Sequence, residues 1–96
     1  MASYRLSNQA KEDLIRIYQY GRVKFGERQA EKYFNQLFDM FDSIAERPKS
    51  FEAVDHIKSG YRRCVCGVDS IFFKEQDGFV DIIAIVGRQD VNQIFK

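Results

Sequence analysis

The chain of 96 residues has no tryptophan, one proline, one histidine and two cysteines, and its charge is almost balanced, with Lys plus Arg at 15 and Asp plus Glu at 14. Each shortage excludes something. Residues 1–48 hold eight basic and seven acidic side chains and residues 49–96 hold seven of each, so neither half is the basic footprint of a bulk nucleic-acid binder. No run of about 18 apolar residues exists, so no membrane span is expected. The first residues, Met1-Ala2-Ser3-Tyr4-Arg5, carry no hydrophobic signal region, and the expected location is the cytoplasm. Cys64 and Cys66 form a Cys-x-Cys pair with only His56 as a further soft ligand. That set falls short of a zinc site, which takes four ligands or three and a water. No metal or cofactor is expected, and the cysteines read as reduced thiols filling space on a strand. With 45% apolar and 30% charged residues the composition is globular. A chain of this length makes one domain with a thin core, for which a partner that adds buried surface is a natural complement.

The single Pro48 divides a helical half from a strand half. Tyr4-Arg5-Leu6-Ser7 alternates apolar and polar residues and predicts a short strand. Ser7 or Asn8 then caps a helix, with Glu12 and Asp13 in its early turns complementing the helix dipole. Ala10, Leu14, Ile17 and Tyr18 make one face, and Gly26 ends the helix near residue 25. A second helix starts at about Glu27. Its stripe of Ala30, Tyr33, Phe34, Leu37, Phe38, Phe41, Ile44 and Ala45 is the clearest in the chain. Arg47-Pro48 stops it. With almost no loop between them, the two helices predict an αα-hairpin.

Residues 49–60 are mixed and polar and read as a connection. Three strands follow: Tyr61 to Cys66, Val68 to Glu75, and Phe79 to Val86, with Asp77-Gly78 as a hairpin turn. The expected fold is α+β, in the order β-αα-βββ, with the helix hairpin packed on one face of a small antiparallel-type sheet. The last strand is apolar on both faces and belongs in the interior of the sheet, with the first strand beside it. Strict alternation puts Val80, Ile82, Ala84 and Val86 on one face, and Phe79, Ile83 and Ile85 on the other, joined by Ile71 and Phe73. A face of that kind left bare by the helices would be a docking surface for another chain. Asp90 to Phe95 could add one short helical turn.

Several segments form a series in chain order. They are Tyr4-x-Leu6-Ser7-x-x-Ala10-x-x-Asp13-Leu14-x-x-Ile17-x-x-Tyr20, Phe25-Gly26-x-x-x-Ala30-x-x-Tyr33, and then Leu37, Ile44 and Pro48. Gly60-Tyr61-Arg62, Ile71-Phe72-Phe73 and Ile85-Val86-Gly87-Arg88-Gln89-Asp90 complete the series. Together they resemble the ParE toxins of the RelE/ParE superfamily, the toxic half of bacterial toxin–antitoxin pairs. The chain departs from the pattern at Val86, where many relatives carry histidine. The resemblance implies a RelE/ParE-like fold. It also implies a protein that inhibits DNA gyrase by binding, blocks replication and is neutralised by a ParD-like antitoxin.

The ribonuclease branch of that superfamily cuts mRNA, which needs a base, an acid and cations for the phosphorane charge. His56 lies in the polar connection and reads as a surface residue. No tyrosine lies after the last strand, where RelE-like nucleases usually place a Tyr or His. Arg62, Arg63 and Arg88 could hold an anion but supply no proton donor near neutral pH. The expectation is therefore no enzyme, no direct nucleic-acid contact and action by binding. An mRNA endonuclease of the RelE type and a non-toxic interaction module are the alternatives. The expected partner-binding residues, for antitoxin or gyrase, are Tyr61, Arg62, Arg63, Phe73, Ile83, Ile85 and Arg88. The three arginines could equally decorate strand ends by pairing with Asp69, Asp81 or Asp90.

Overall fold

A computed structural model describes residues 3–87. Strand β1 (Tyr4–Leu6) leads into α1 (Asn8–Phe25) and α2 (Glu27–Glu46). A turn of 3-10 helix (Pro48–Ser50) and strands β2 (Glu52–Ala53), β3 (Tyr61–Cys66), β4 (Asp69–Gln76) and β5 (Phe79–Gly87) follow. Ser7 caps α1, its hydroxyl accepting from the Ala10 amide at 3.0 Å. Gly26 alone joins the helices, at a φ of 94° that an L side chain rarely adopts. The expected Asp90–Phe95 turn and Arg88 lie outside the described residues.

The five strands run β1-β5-β4-β3-β2. All neighbours are antiparallel except β1, which is parallel to β5 through Tyr4–Val80, Arg5–Asp81 and Leu6–Ile82. The sheet is thus mixed, and β5 is hydrogen-bonded on both sides as its apolar character required. The connection expected over 49–60 instead holds the 3-10 turn and β2, whose two residues pair with Arg62 and Arg63. A segment that short leaves no alternation to detect. Its remainder crosses the sheet face opposite the helices, where buried Val54 packs with Phe72, Ala84 and Val86.

The main core lies between the hairpin and the sheet: Leu14, Leu37, Phe41 and Ile44 meet Cys64, Ile71, Phe73, Val80, Ile82 and Ile85. This corrects the assignment of faces. Phe72 pairs with Ala84 and Phe73 pairs with Ile82, so Ile83 is an extra residue in β5. Such a bulge shifts the alternation by one position. Before it, Val80 and Ile82 face the helices. After it Ile85 does, while Ala84 and Val86 turn to the far side. Ile71, Phe73 and Ile85, expected on a bare face, are fully buried beneath the helices. Ile83, from the same expected face, lies on the far side, half-buried against the Val54 cluster.

Candidate partner-binding site

β1 is only three residues long, so it covers β5 no further than Ile82. Past that point α1 side chains take over the edge of β5. The Ser7 hydroxyl donates to the Ile83 carbonyl at 2.6 Å. The Asp13 carboxylate accepts the Ile85 amide at 2.9 Å, and Arg16 Nη2 donates to the Ile85 carbonyl at 3.2 Å. Asp13 also accepts from Gln9 Nε2 at 2.9 Å and lies 3.4 Å from Arg16 Nη2. The role expected for Asp13, a charge near the helix dipole, is therefore secondary. Buried on the second turn of α1, it substitutes for a missing β-strand.

Beyond this staple opens a groove of about 660 Å³ between α1, the start of α2 and the β3–β4 turn. Its rim is apolar and exposed: Tyr20 is 59% accessible, Phe25 63% and Val68 72%. Large apolar groups left together in water mark an interaction surface. Tyr33 stands at the inner end. Its hydroxyl lies 2.7 Å from the Cys66 carbonyl and 2.8 Å from Asp69 Oδ2. Burial, then the hydrogen bond to Asp69, raises the Tyr33 pKa far above its ordinary value, so the hydroxyl keeps its proton. Gly67 makes this placement possible: a Cβ there would lie 2.8 Å from Tyr33 Cε1.

The residues named from sequence do not converge on this groove. Neighbours on a strand point to opposite faces, so Arg62 and Arg63 diverge. Arg62 Nη1 donates to the Phe51 carbonyl at 2.7 Å, and Arg63 binds Glu52 Oε1 through Nε at 3.1 Å and Nη2 at 2.9 Å. Both fasten the segment around β2. Neither takes the aspartate partners expected for it, and Asp81 pairs instead with Arg5 at 3.8 Å. Tyr61 is half-buried against the far-side cluster, with Lys58 Nζ 6.0 Å from its ring centre. Phe73 and Ile85 are core residues and offer no surface. Tyr20, Phe25, Tyr33, Val68 and Asp69 were missed. Helical period gives no signal for them: Phe25 continues the Leu14–Tyr18–Gly21 row of α1 and is nevertheless exposed at the helix end.

Cys64 and Cys66 are free thiols on the helix side of β3. Burial, reinforced by Cys66, pushes the Cys64 pKa up to about 11. Burial and then Asp69 raise that of Cys66. Neither is a thiolate at neutral pH, which makes both poor nucleophiles. Among the described residues there is no group of three or more His, Cys, Asp and Glu able to hold a metal ion. No helix among them is long and apolar enough to cross a membrane.

Residues 4–92 match the family model described as the ParE toxin of type II toxin–antitoxin systems, parDE. Toxin ParE1 of Caulobacter vibrioides is 36% identical over 74 residues, 77% of each chain. Toxin ParE1 of Mycobacterium tuberculosis is 30% identical over 92 residues, 94% of each chain. Among solved structures, a chain of the chromosomal ParDE system of P. aeruginosa superposes with a TM-score of 0.79 at 19% identity, over 91% of this chain and 96% of that one. A chain of the RelBE2 toxin–antitoxin complex of M. tuberculosis gives 0.60 at 16% identity, over 91% and 98%. At those identities the two structures establish a shared fold.

Proposed function

From the premise that this chain belongs to the ParE toxin family of type II toxin–antitoxin systems, we propose that it inhibits DNA gyrase by binding and is neutralised by a ParD-like antitoxin docked in the groove beside Tyr20, Phe25 and Val68. The family match over residues 4–92 carries the reading. A binder of this kind acts through unequal affinity for two states of its target, trapping gyrase in one of them on DNA. The working compartment is the cytoplasm, where gyrase and chromosome are.

Action by binding, with no catalysis, is supported by how the cations are engaged. A nuclease needs arginines free to meet a phosphorane, whereas Arg62 and Arg63 are tied to Phe51 and Glu52. The antitoxin reading is supported by the groove itself, an apolar rim around a polar inner end. Both solved neighbours come from toxin–antitoxin systems. A partly disordered antitoxin would order on such a surface, by laying an amphipathic segment into it.

The test is a gyrase supercoiling assay with purified protein, with and without antitoxin. Loss of supercoiling, restored by antitoxin, is expected. Unimpaired supercoiling at large molar excess of folded protein would end the gyrase assignment. Site-specific cleavage of message on ribosomes would end the claim that no bond is broken.

A further inference from the structure

We infer that the inner end of the groove receives a cationic side chain, a lysine ammonium or an arginine guanidinium, carried by the antitoxin segment that docks there. The inference rests on the antitoxin reading above and adds the chemistry of the contact. Three oxygens meet at this point: Tyr33 Oη, the Cys66 carbonyl 2.7 Å from it, and Asp69 Oδ2 2.8 Å from it. A phenol brings one proton, while a carbonyl and a carboxylate bring none. Even with the Asp69 backbone amide, which also donates towards the Tyr33 oxygen, acceptors outnumber donors in the cluster.

Asp69 is 7% exposed, and none of the ion pairs among the described residues includes it. A buried carboxylate is ordinarily paired or saturated with hydrogen bonds. Asp13, at 6% exposed, shows the ordinary arrangement, with Gln9, Arg16 and the Ile85 amide around it. Arg16 lines the same groove, yet its Nη2 is directed to Asp13 and the Ile85 carbonyl. The negative charge of Asp69 is thus left facing the groove. The walls suit the visitor. A lysine or arginine stem packs along apolar and aromatic surface while its head reaches a polar end, and Tyr20, Phe25 and Val68 supply that surface.

The experiment is calorimetric titration of the cognate ParD-like antitoxin into the wild type, Asp69→Asn and Val68→Asp. Asparagine keeps an acceptor for Tyr33, removes the charge and puts an amide NH2 donor in place of one oxygen. Asp69→Asn should weaken binding about tenfold or more, the scale of a charge-assisted contact. One Lys→Gln or Arg→Gln substitution in the antitoxin should weaken binding equally against the wild type and add nothing against Asp69→Asn. Binding of Asp69→Asn at wild-type strength, with Val68→Asp impaired, overturns the cation site and leaves the groove as the antitoxin site. Wild-type binding by both variants removes the groove as well. Loss in Asp69→Asn that couples to no basic residue of the antitoxin also overturns the inference. Should that variant prove unfolded by thermal melting, a crystal structure of the wild-type complex decides: a partner N–H donor within hydrogen-bond distance of Asp69 supports the inference, and its absence refutes it.

Discussion

At Gly67 backbone and packing make the same demand. Its φ of 60° disfavours any L side chain, and the Tyr33 ring already occupies the place of a Cβ. Gly67→Ala should destabilise the protein by about 1–3 kcal/mol, the usual range for a residue forced into strained backbone, measured by urea unfolding. The shift should be accompanied by a change in Tyr33 fluorescence or ring NMR signals. A variant as stable as the wild type would mean that the turn rearranges freely. The thiols and Tyr33 make a second prediction at this scale. Cys64 ionises at about 11 in the fold against an ordinary 9.0, and Cys66 and Tyr33 are shifted in the same direction. Above pH 9 the unfolded chain releases these protons first, so the folded state holds more of them and stability falls as pH rises towards 11. Thermal melting from pH 8 to 11 should show that decline, and Cys64→Val should flatten it. Parallel profiles for the two proteins would contradict the assignment.

At the scale of elements, the bulge in β5 decides which isoleucine is core. Ile85→Ala should cost about 2–5 kcal/mol, as for other large-to-small changes in a packed core. Ile83→Ala, on the half-buried far side, should cost less than about half of that. Equal losses in urea unfolding would argue against the shifted alternation. The same element shows what was legible in the sequence. The helices were, because the stripe on α2 is unbroken and Ser7, Gly26 and Pro48 mark their ends. The adjacency of β1 and β5 was, because β5 is apolar on both sides. The bulge was not: Phe79–Val86 is apolar at either phase, so nothing in its pattern shows where the period slips. That one slip sent Phe73 and Ile85 into the list of surface candidates. The groove was illegible for another reason. Its residues come from α1, α2 and the β3–β4 turn, and only packing brings Tyr33 to Asp69.

At the scale of the whole molecule, the described chain has a radius of gyration of 13.1 Å and extends 37 × 33 × 22 Å. One layer of helices on one sheet gives a core of limited depth, and domains of this size are marginally stable. A partner that binds only the folded form should therefore add visibly to stability. At free antitoxin a thousand times its Kd the gain is about 4 kcal/mol, so the melting midpoint should climb with antitoxin concentration. A midpoint indifferent to antitoxin would contradict docking on the folded chain.

The parallel pairing of β1 with β5 has a temporal side. Tyr4–Leu6 is the first of the described strands in chain order and Phe79–Gly87 the last, yet they are hydrogen-bonded neighbours. A nascent chain on the ribosome can form its helical hairpin early, but its sheet has no seat for the N-terminal strand until β5 has left the exit tunnel. Ser7 meanwhile has no Ile83 carbonyl to bind, and Asp13 and Arg16 have no Ile85. Synthesis itself therefore imposes a delay: the molecule becomes native only after translation has passed Gly87.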